Sequence, residues 1–375
     1  KNPDGFKNGF VVSLERATHS LEELIDALLP TFHSRDISAY VVLGNSKLGC
    51  YRFSSSQYYH GVRRTISSYE IRNVVEQTRS VATLPLSESI LQTVPETFLV
   101  NDIPDIRNPL GLEAHRLGVN LNIFTMEFEY FRNISKAFEA GDIEVKGYFP
   151  KTLVISEAVL TPEEREAGAL VIDIADDIVQ LILWKNGRLV TSKAVALGGM
   201  CLTQQVAEAW HIEMHDAEKV KEKFATLERH SEFGEELIPL IDRNGKTSQP
   251  VHRQTFQNKF LEQAKNWLTD LLVQTDQLAR EEKVLHPHLV FTGGGAALDG
   301  FLEFLQEEFS RDGRIGITRQ VEAPNEILVD PSLAGALGMY CWLATRERER
   351  QQLFAPRGIL QKSFDAVRRW FATYF

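Results

Sequence analysis

The stretch from Leu289 to Phe301 constrains the fold of this chain more than any other part of the sequence. A short apolar run is followed by a threonine, three glycines and an amphipathic segment. This order predicts a strand, a tight turn and a helix. Glycines in such a turn let backbone N–H groups approach an anion at a helix N-terminus, where unsatisfied donors and the helix dipole favour phosphate. The alternative is a strand-to-helix turn that binds nothing. The glycines are Gly293, Gly294 and Gly295.

Strands alternate with helices along the rest of the chain. A second strand turn lies at 170–180, and Asn186-Gly187 predicts a hairpin after it. Residues 46–140 have the pattern of a separate β-α-β-β-α unit, in which 46–66 suggest a hairpin and Pro95 marks an edge strand or a bulge. Ser67 and Thr161 are expected to cap helices. Together these patterns predict a two-lobed α/β protein.

The composition limits the class of protein. A chain of 375 residues is long enough for two or more subdomains, and its net charge of −10 argues against nucleic-acid binding. Cys50, Cys201 and Cys341 lack the spacing of a zinc site or a disulfide framework, which suggests a reducing compartment. No apolar run is long enough to span a membrane.

The carboxyl end differs from this acidic body. From Arg346 onward the chain has seven basic residues against three acidic ones. Gly358–Phe375 places its apolar side chains on one stripe of a helix, which spans about 27 Å if helical and suits the interface of an anionic membrane. The alternative is a tail helix docked on its own body. The expected membrane-binding residues are Leu360, Phe364, Val367, Arg368, Trp370, Phe371, Tyr374 and Phe375.

Several motifs in the same order resemble those of FtsA, the bacterial actin-like cell-division family. They cover nearly the whole chain, which makes the resemblance more specific than the glycine turn alone. The motifs are Val94-Pro95-Glu96-Thr97-Phe98, Ile106-Arg107-Asn108-Pro109-Leu110-Gly111-Leu112, Val159–Gly168, Phe291–Gly300 and the amphipathic C-terminus.

The resemblance implies an actin-like fold of the actin/Hsp70/sugar-kinase superfamily, with the insertion that the FtsA family carries. It assigns the first-lobe core to 1–45 and 141–170, and the inserted subdomain to 46–140. The second-lobe core would be 171–211 and 266–345, around a small subdomain at 212–265. A linker at 346–357 would lead to the membrane-targeting helix at 358–375.

The resemblance also implies a nucleotide site for ATP with Mg²⁺. Its residues would be Gly293, Gly294, Gly295, Glu218, Lys221, Asp173 and Gly199, with Asp173 holding the metal through water. Glu218 and Lys221 would flank the adenosine or form only a surface ion pair. The family's Asp-Ile-Gly-Gly-Gly-Thr turn is replaced here by Asp173–Ile178, whose Asp176 and Asp177 should repel phosphate.

Two further departures concern the beginning of the chain and the partner surface. The similarity starts only near Gly5, so either the chain is a fragment or the family's first phosphate loop is absent. Arg253-Gln254-Thr255 is retained, but Leu261-Glu262-Gln263 stands where better-known relatives have Glu-Pro-Arg. The residues expected to contact the tail of the tubulin-like FtsZ are Arg253, Gln254 and Asn258.

The function expected from the resemblance is a tether between FtsZ filaments and the inner face of the cytoplasmic membrane at the division septum. Its partners would be the FtsZ C-terminal peptide, anionic lipids, further copies of itself and later division proteins. ATPase activity would be weak or absent, with ATP as a structural ligand. An active kinase or ATPase of this fold, or a pilus-assembly adaptor, is the alternative.

Overall fold

The computed structural model describes residues 4–32, 37–59, 63–229, 233–240, 250–318 and 324–354. The chain divides into two compact units, one formed by the chain up to Lys151 and from Leu343 onward, the other by Thr152–Trp342. The finer subdomain boundaries stay predictions.

Up to Lys151, the described residues of the first unit form three helices and a series of strands of very unequal length. Its elements are β1 (Phe6–Lys7), β2 (Phe10–Val11), α1 (Leu14–Phe32), β3 (Ser38–Leu43), β4 (Leu48–Tyr58), β5 (Arg64–Thr65), α2 (Ser68–Val81), β6 (Glu88–Val100), β7 (Ile103–Ile106), β8 (Glu113–Ala114), β9 (Arg116–Glu127), α3 (Phe128–Ala140) and β10 (Glu144–Pro150).

A four-stranded antiparallel sheet, in the order β4-β9-β6-β7, is the centre of this unit. Strand β4 pairs with β9 along its whole length, from Leu48 opposite Met126 to Tyr58 opposite Arg116. Helix α2 covers one face, and the core between them includes Val74 and Leu121. The order of long elements, β4-α2-β6-β9-α3, confirms the predicted β-α-β-β-α pattern.

One local prediction in this unit is wrong, and another is confirmed in one of its two forms. Residues 46–66 do not form a hairpin, because β4 pairs with the distant β9 and the short β5 pairs with β8. Pro95 is expected to mark an edge strand or a bulge. Strand β6 is not an edge of the sheet as a whole, although β7 pairs with it at Phe98 and Val100, beyond Pro95. The alternative of a bulge is confirmed, because the register shifts between Pro95 and Thr97. A bulge accommodates the missing N–H of proline inside a sheet.

Helix α2 begins at the predicted cap. The Ser67 N–H donates to Glu70 Oε2 at 3.0 Å, and the Tyr69 N–H donates to Ser67 Oγ at 3.1 Å. Satisfying these donors, which have no partner within the helix itself, fixes the start of the helix. Elsewhere in the unit, β3 and β10 form a parallel pair.

The second unit is built around one mixed sheet with helices packed on it, and its last helix, α11, belongs to this unit as far as Trp342. Its elements are α4 (Lys151–Val159), α5 (Pro162–Ala167), β11 (Ala169–Ile174), β12 (Val179–Lys185), β13 (Arg188–Val195), α6 (Met200–Trp210), α7 (Met214–Phe224), β14 (Leu237–Ile238), β15 (Val251–His252), α8 (Arg253–Glu281), β16 (His288–Thr292), α9 (Phe301–Phe309), β17 (Gly313–Ile315), α10 (Asn325–Val329) and α11 (Ala334–Phe354).

The sheet of this unit has the order β13-β12-β11-β16-β17. The hairpin β12–β13 turns at Asn186 and Gly187, with φ values of 54° and 70°, as the sequence predicts. Strands β11, β16 and β17 are parallel, so their carboxyl ends meet at one edge of the sheet. Apolar side chains of α6, α8 and α9 pack on the sheet in the largest core of the unit, including Phe256, Trp267 and Phe304.

Candidate functional site

The glycine turn follows β16, as predicted, but its three glycines have different roles. Gly293 has φ +84°, and a Cβ there would lie 2.4 Å from the Ile174 carbonyl oxygen. A Cβ on Gly295 would lie 2.2 Å from Ile174 Cγ2. Both glycines therefore allow close packing against the end of β11. At Gly294 a Cβ would meet nothing within 4 Å, so this is the position of the three that faces open space.

The predicted order of strand, turn and helix is confirmed, but the glycines do not form the N-terminus of the α-helix. Gly294–Ala297 forms one turn of 3₁₀-helix, and α9 begins only at Phe301, after the left-handed Gly300. An anion at Gly294 would meet the start of a short 3₁₀ turn and not the dipole of α9. Pro331 stabilises the turn, because its carbonyl oxygen accepts hydrogen bonds from the Gly293 N–H and the Thr292 hydroxyl, each at 3.0 Å.

The aspartate turn after β11 packs on the amino end of α6. The N–H groups of Gly198, Gly199 and Met200 donate to the carbonyl oxygens of Asp177, Ala175 and Asp176 at 3.3, 2.9 and 2.7 Å. Gly198 is needed there, since a Cβ would lie 2.2 Å from the Asp176 carbonyl oxygen. Three donors at this helix start are therefore already satisfied by protein carbonyls. A phosphate would have to displace these carbonyl oxygens from the helix start, close to the carboxylates of Asp176 and Asp177.

Glu218 and Lys221 form more than a surface ion pair. Lys221 is 8% exposed, and its Nζ lies 2.7 Å from Glu218 Oε2, 2.7 Å from Thr203 Oγ1 and 3.3 Å from the Gly199 carbonyl oxygen. Thr203 also hydrogen-bonds Glu218. This cluster joins α7 to the first turn of α6, so the Glu218–Lys221 pair has a structural role at the predicted site. Thr203 is a member that the sequence analysis missed, because its partner lies on another helix.

Asp173 lies within β11 and is 1% exposed. Its Cα partners in the neighbouring strands are Gln180 of β12 and Thr292 of β16, both buried. In the part of the chain that the structure describes, Gln180 Oε1 accepts no hydrogen bond. A polar row therefore crosses three strands beside the glycine turn. The signal for Gln180 in the sequence is a single polar residue inside the apolar run of β12.

The residues fit an ATP–Mg²⁺ ligand only in part. The side-chain oxygen atoms of Asp173, Gln180 and Thr292 are suitable ligands for Mg²⁺, and Gly294 leaves room for an anion. The turn at Asp176 and Asp177 does not suit phosphate. Among the described residues there is no group of three or more His, Cys, Asp or Glu side chains arranged to hold a metal ion. ATP and Mg²⁺ therefore stay predictions.

The predicted partner residues lie together at the start of α8. The Arg253 guanidinium stacks 4.0 Å from the Phe233 ring centroid and 5.7 Å from that of Phe224, and pairs with Glu236 at 2.7 Å. Gln254 Nε2 donates to Asn258 Oδ1 at 3.2 Å one turn further along the helix. This arrangement fixes a planar cation beside an amide pair on the surface of the second unit.

The second unit also has a cleft of about 480 Å³ at the amino ends of β11, β16 and β17, at the opposite end of the sheet from the glycine turn. Its charged lining residues are already engaged within the protein. Arg314 Nε lies 2.7 Å from Glu164 Oε1 and its Nη2 lies 2.6 Å from Glu164 Oε2, while Arg311 pairs with Asp276. We therefore assign no ligand to this cleft.

The predicted membrane-binding stretch at 358–375 lies outside the described residues. In the described part, no helix is both long enough and apolar enough to cross a bilayer.

Comparison with known proteins places these features in a family. A model of the family described as cell division protein FtsA matches residues 170–338, and a model of the SHS2 domain inserted in FtsA matches residues 53–125. The chain is 25% identical over 348 residues to cell division protein FtsA of Borreliella burgdorferi, covering 89% of this chain and 81% of that protein. It is 24% identical over 347 residues to the Escherichia coli K12 protein of that name, covering 89% and 80%.

Solved structures show the same architecture. The PilM–PilN type IV pilus biogenesis complex matches with a TM-score of 0.58 and 15% identity, over 90% of this chain and 88% of that chain. MreB5 of Spiroplasma citri bound to ADP matches with a TM-score of 0.53 and 14% identity, over 92% and 80%.

These matches define the class: the chain is an α/β protein of the actin-like fold with an inserted SHS2 domain, as the sequence predicts. Two family models and relatives aligned over most of their length then settle its membership. The chain belongs to the FtsA cell-division family.

Proposed function

We propose that this chain tethers FtsZ filaments of the division ring to the cytoplasmic face of the cell membrane. Membership of the FtsA cell-division family over most of the chain is the observation that supports this most strongly. The chain would bind the FtsZ C-terminal peptide with its second unit and anionic lipid with its C-terminal stretch. It would also self-assemble in an actin-like manner and recruit later division proteins.

The surface around Arg253 supports the first contact. Arg253 is held by Glu236 on one side and by aromatic rings on the other, so its guanidinium is already oriented before a partner arrives. Such pre-organisation lowers the entropy lost on binding a flexible peptide. Gln254 and Asn258 add amide donors and acceptors on a neighbouring face of the helix, which suits the backbone of an extended segment.

A non-catalytic role for the nucleotide is the second part of the proposal. The aspartate turn brings carboxylates to the place where the family's glycines would meet phosphate, and its carbonyls occupy the start of α6. Hydrolysis needs donors aimed at the charge that develops on the phosphoryl oxygens. We therefore propose that ATP, where bound, acts as a structural ligand, and that ATPase activity is weak or absent.

The lipid contact rests on the sequence of Gly358–Phe375. Its apolar stripe and flanking basic side chains suit an interfacial helix, and each basic residue near an anionic surface adds roughly 1 kcal/mol of attraction.

Binding to the FtsZ tail can be measured with the whole chain and a labelled FtsZ C-terminal peptide. We expect Arg253→Glu to weaken binding by at least about tenfold, since truncating an oriented arginine at an interface often costs more than about 1.4 kcal/mol. Arg280→Glu is the matched control, because it makes the same charge change on an exposed residue at the other end of α8. Equal binding by both variants would contradict the proposed surface.

A further inference from the structure

Strand β4 forms one edge of the four-stranded sheet in the first unit. It pairs with β9 on one side, and no strand among the described residues pairs with its other side. The eleven residues Leu48–Tyr58 follow the β9 register without a shift. The free side of β4 therefore presents a straight row of alternating backbone N–H and C=O groups.

The two edges of this sheet differ in how they are protected. The other edge, β7, has four residues, contains Pro104 and includes Asp105 at φ 66°, all of which hinder pairing with a further strand. Strand β4 has no proline, no lysine and no bulge, and Arg52 is its single charged residue. A long regular edge without these features is a surface for strand pairing.

We propose that β4 pairs with β4 of a second copy of this chain, antiparallel and about a two-fold axis at Phe53. The strand is complementary to itself in this register. Arg52 of each copy would face Ser54 of the other. The two Arg52 side chains would lie on one face at diagonal positions about 7–8 Å apart, each paired with Glu96 of its own chain at 3.6 Å. Leu48 would face Tyr58, and the two Phe53 side chains would meet at the axis. The result is one continuous eight-stranded sheet with closed symmetry.

Helix α2 favours a second copy of the chain over an isolated peptide strand. It packs chiefly on β4 and β9, so the helix axis lies roughly above the line midway between these two strands. Strands in a sheet are about 4.8 Å apart, and a two-fold axis normal to the sheet keeps both α2 helices on one face. Their axes would then lie about 9–10 Å apart, which matches the usual spacing of roughly 8–10 Å between packed helices. A peptide strand paired with β4 would bring no second helix, so the side of α2 that points toward the β4 edge would stay uncovered.

This contact goes beyond the proposed tether and does not depend on it. Head-to-tail assembly of actin-like subunits joins two different surfaces and stays open at its ends, whereas β4 pairing joins one surface to itself and closes. A chain that failed to bind FtsZ or lipid would still form the β4 pair, so the two proposals fail in distinguishable ways.

The test uses two substitutions at one exposed position of the full chain, Ser54→Asp and Ser54→Lys. In the proposed register the carboxylate introduced by Ser54→Asp would face Arg52 of the second copy, twice per dimer, and the ammonium introduced by Ser54→Lys would repel it twice. Cross-strand pairs contribute about 0.2–1 kcal/mol each, so the dimer constant should tighten roughly 2- to 30-fold for Ser54→Asp and weaken comparably for Ser54→Lys. The measurement is sedimentation velocity at low salt without nucleotide.

Ser87→Asp and Ser87→Lys are the matched controls, because Ser87 is an exposed loop residue of the same unit outside β4. These controls should leave the dimer constant unchanged, and thermal unfolding should show that all four variants fold. Opposite shifts at Ser54 with no shift at Ser87 would support the β4 pair. Shifts of the same sign, no shift at Ser54, or no dimer of the unsubstituted chain would overturn it.

Discussion

Single residues decide what the predicted nucleotide site can bind. Ile174 packs against Gly293 and Gly295, while Gly294 faces open space. Three glycines that look alike in the sequence therefore differ: two allow close packing and one leaves room for a ligand. Asp176 and Asp177 add negative charge in the turn after β11. The predicted site therefore leaves space for an anion beside Gly294 and carries negative charge at Asp176 and Asp177 that would repel it.

The balance between these two sides can be measured by isothermal titration calorimetry with ATP and Mg²⁺. We expect Asp176→Gly with Asp177→Gly to tighten binding, because two like charges are removed while the backbone carbonyls remain. Gly294→Ala should weaken binding with little change in stability, since a Cβ there meets no protein atom within 4 Å. Failure of the double glycine variant to bind more tightly would show that the carboxylates are not the obstacle.

Glu164 joins a helix cap to a strand, and its charge matters for stability. Burial raises the pKa of Glu164, but hydrogen bonds from Arg314 and from the Thr161 N–H outweigh it, so the pKa lies below its usual range. A lowered folded-state pKa contributes stability that is present above the unfolded-state pKa and is lost as the pH falls through the folded-state value.

We therefore expect Glu164→Gln to lower the free energy of unfolding by roughly 1.5–3 kcal/mol at pH 7, the usual contribution of a charged hydrogen bond. The difference from the unsubstituted protein should shrink as the pH is lowered below the usual glutamate range. Urea unfolding at pH 7 and pH 3 measures it, with the exposed Glu307→Gln as a control. A difference that is the same at both pH values would contradict the role of this charge.

At the scale of elements, local signals in the sequence predict much of the structure. The cap at Ser67, the cap at Thr161 and the turn at Asn186-Gly187 all form as expected, because each depends on neighbouring residues alone. The pairing of β4 with β9 was not predicted, since it joins segments that are far apart in the chain. The burial of Lys221 was missed for the same reason: it depends on how α7 packs against α6.

Helix α11 packs closely on α4 within the second unit. A Cβ on Gly338 would lie 2.2 Å from the Val154 carbonyl oxygen and 2.6 Å from its carbonyl carbon, both backbone atoms that cannot turn away. We expect Gly338→Ala to destabilise the protein by about 1–3 kcal/mol, the usual cost of forcing extra atoms into a packed contact. Thermal unfolding measures this, with Gly294→Ala as the control glycine in open space. If Gly338→Ala were as stable as Gly294→Ala, α11 and α4 would be able to move apart at little cost.

At the scale of the whole molecule, the account requires one chain to hold a polymer and a membrane at once. The actin-like fold and the family are shown by the comparisons, and the sequence motifs were sufficient to predict both. The residues proposed for the two contacts, around Arg253 and in Gly358–Phe375, lie far apart in the sequence. They should therefore be separable by substitution, which makes the tether testable as a whole.

The most direct measurement is flotation of FtsZ filaments with anionic liposomes in the presence of this chain. We predict that the unsubstituted chain brings FtsZ to the liposome fraction. Arg253→Glu should float without FtsZ, and deletion of Gly358–Phe375, or Trp370→Asp with Phe371→Asp, should leave both proteins at the bottom while FtsZ still binds in solution. Recruitment of FtsZ to liposomes by all of these variants, or by none of the proteins including the unsubstituted chain, would contradict the tether.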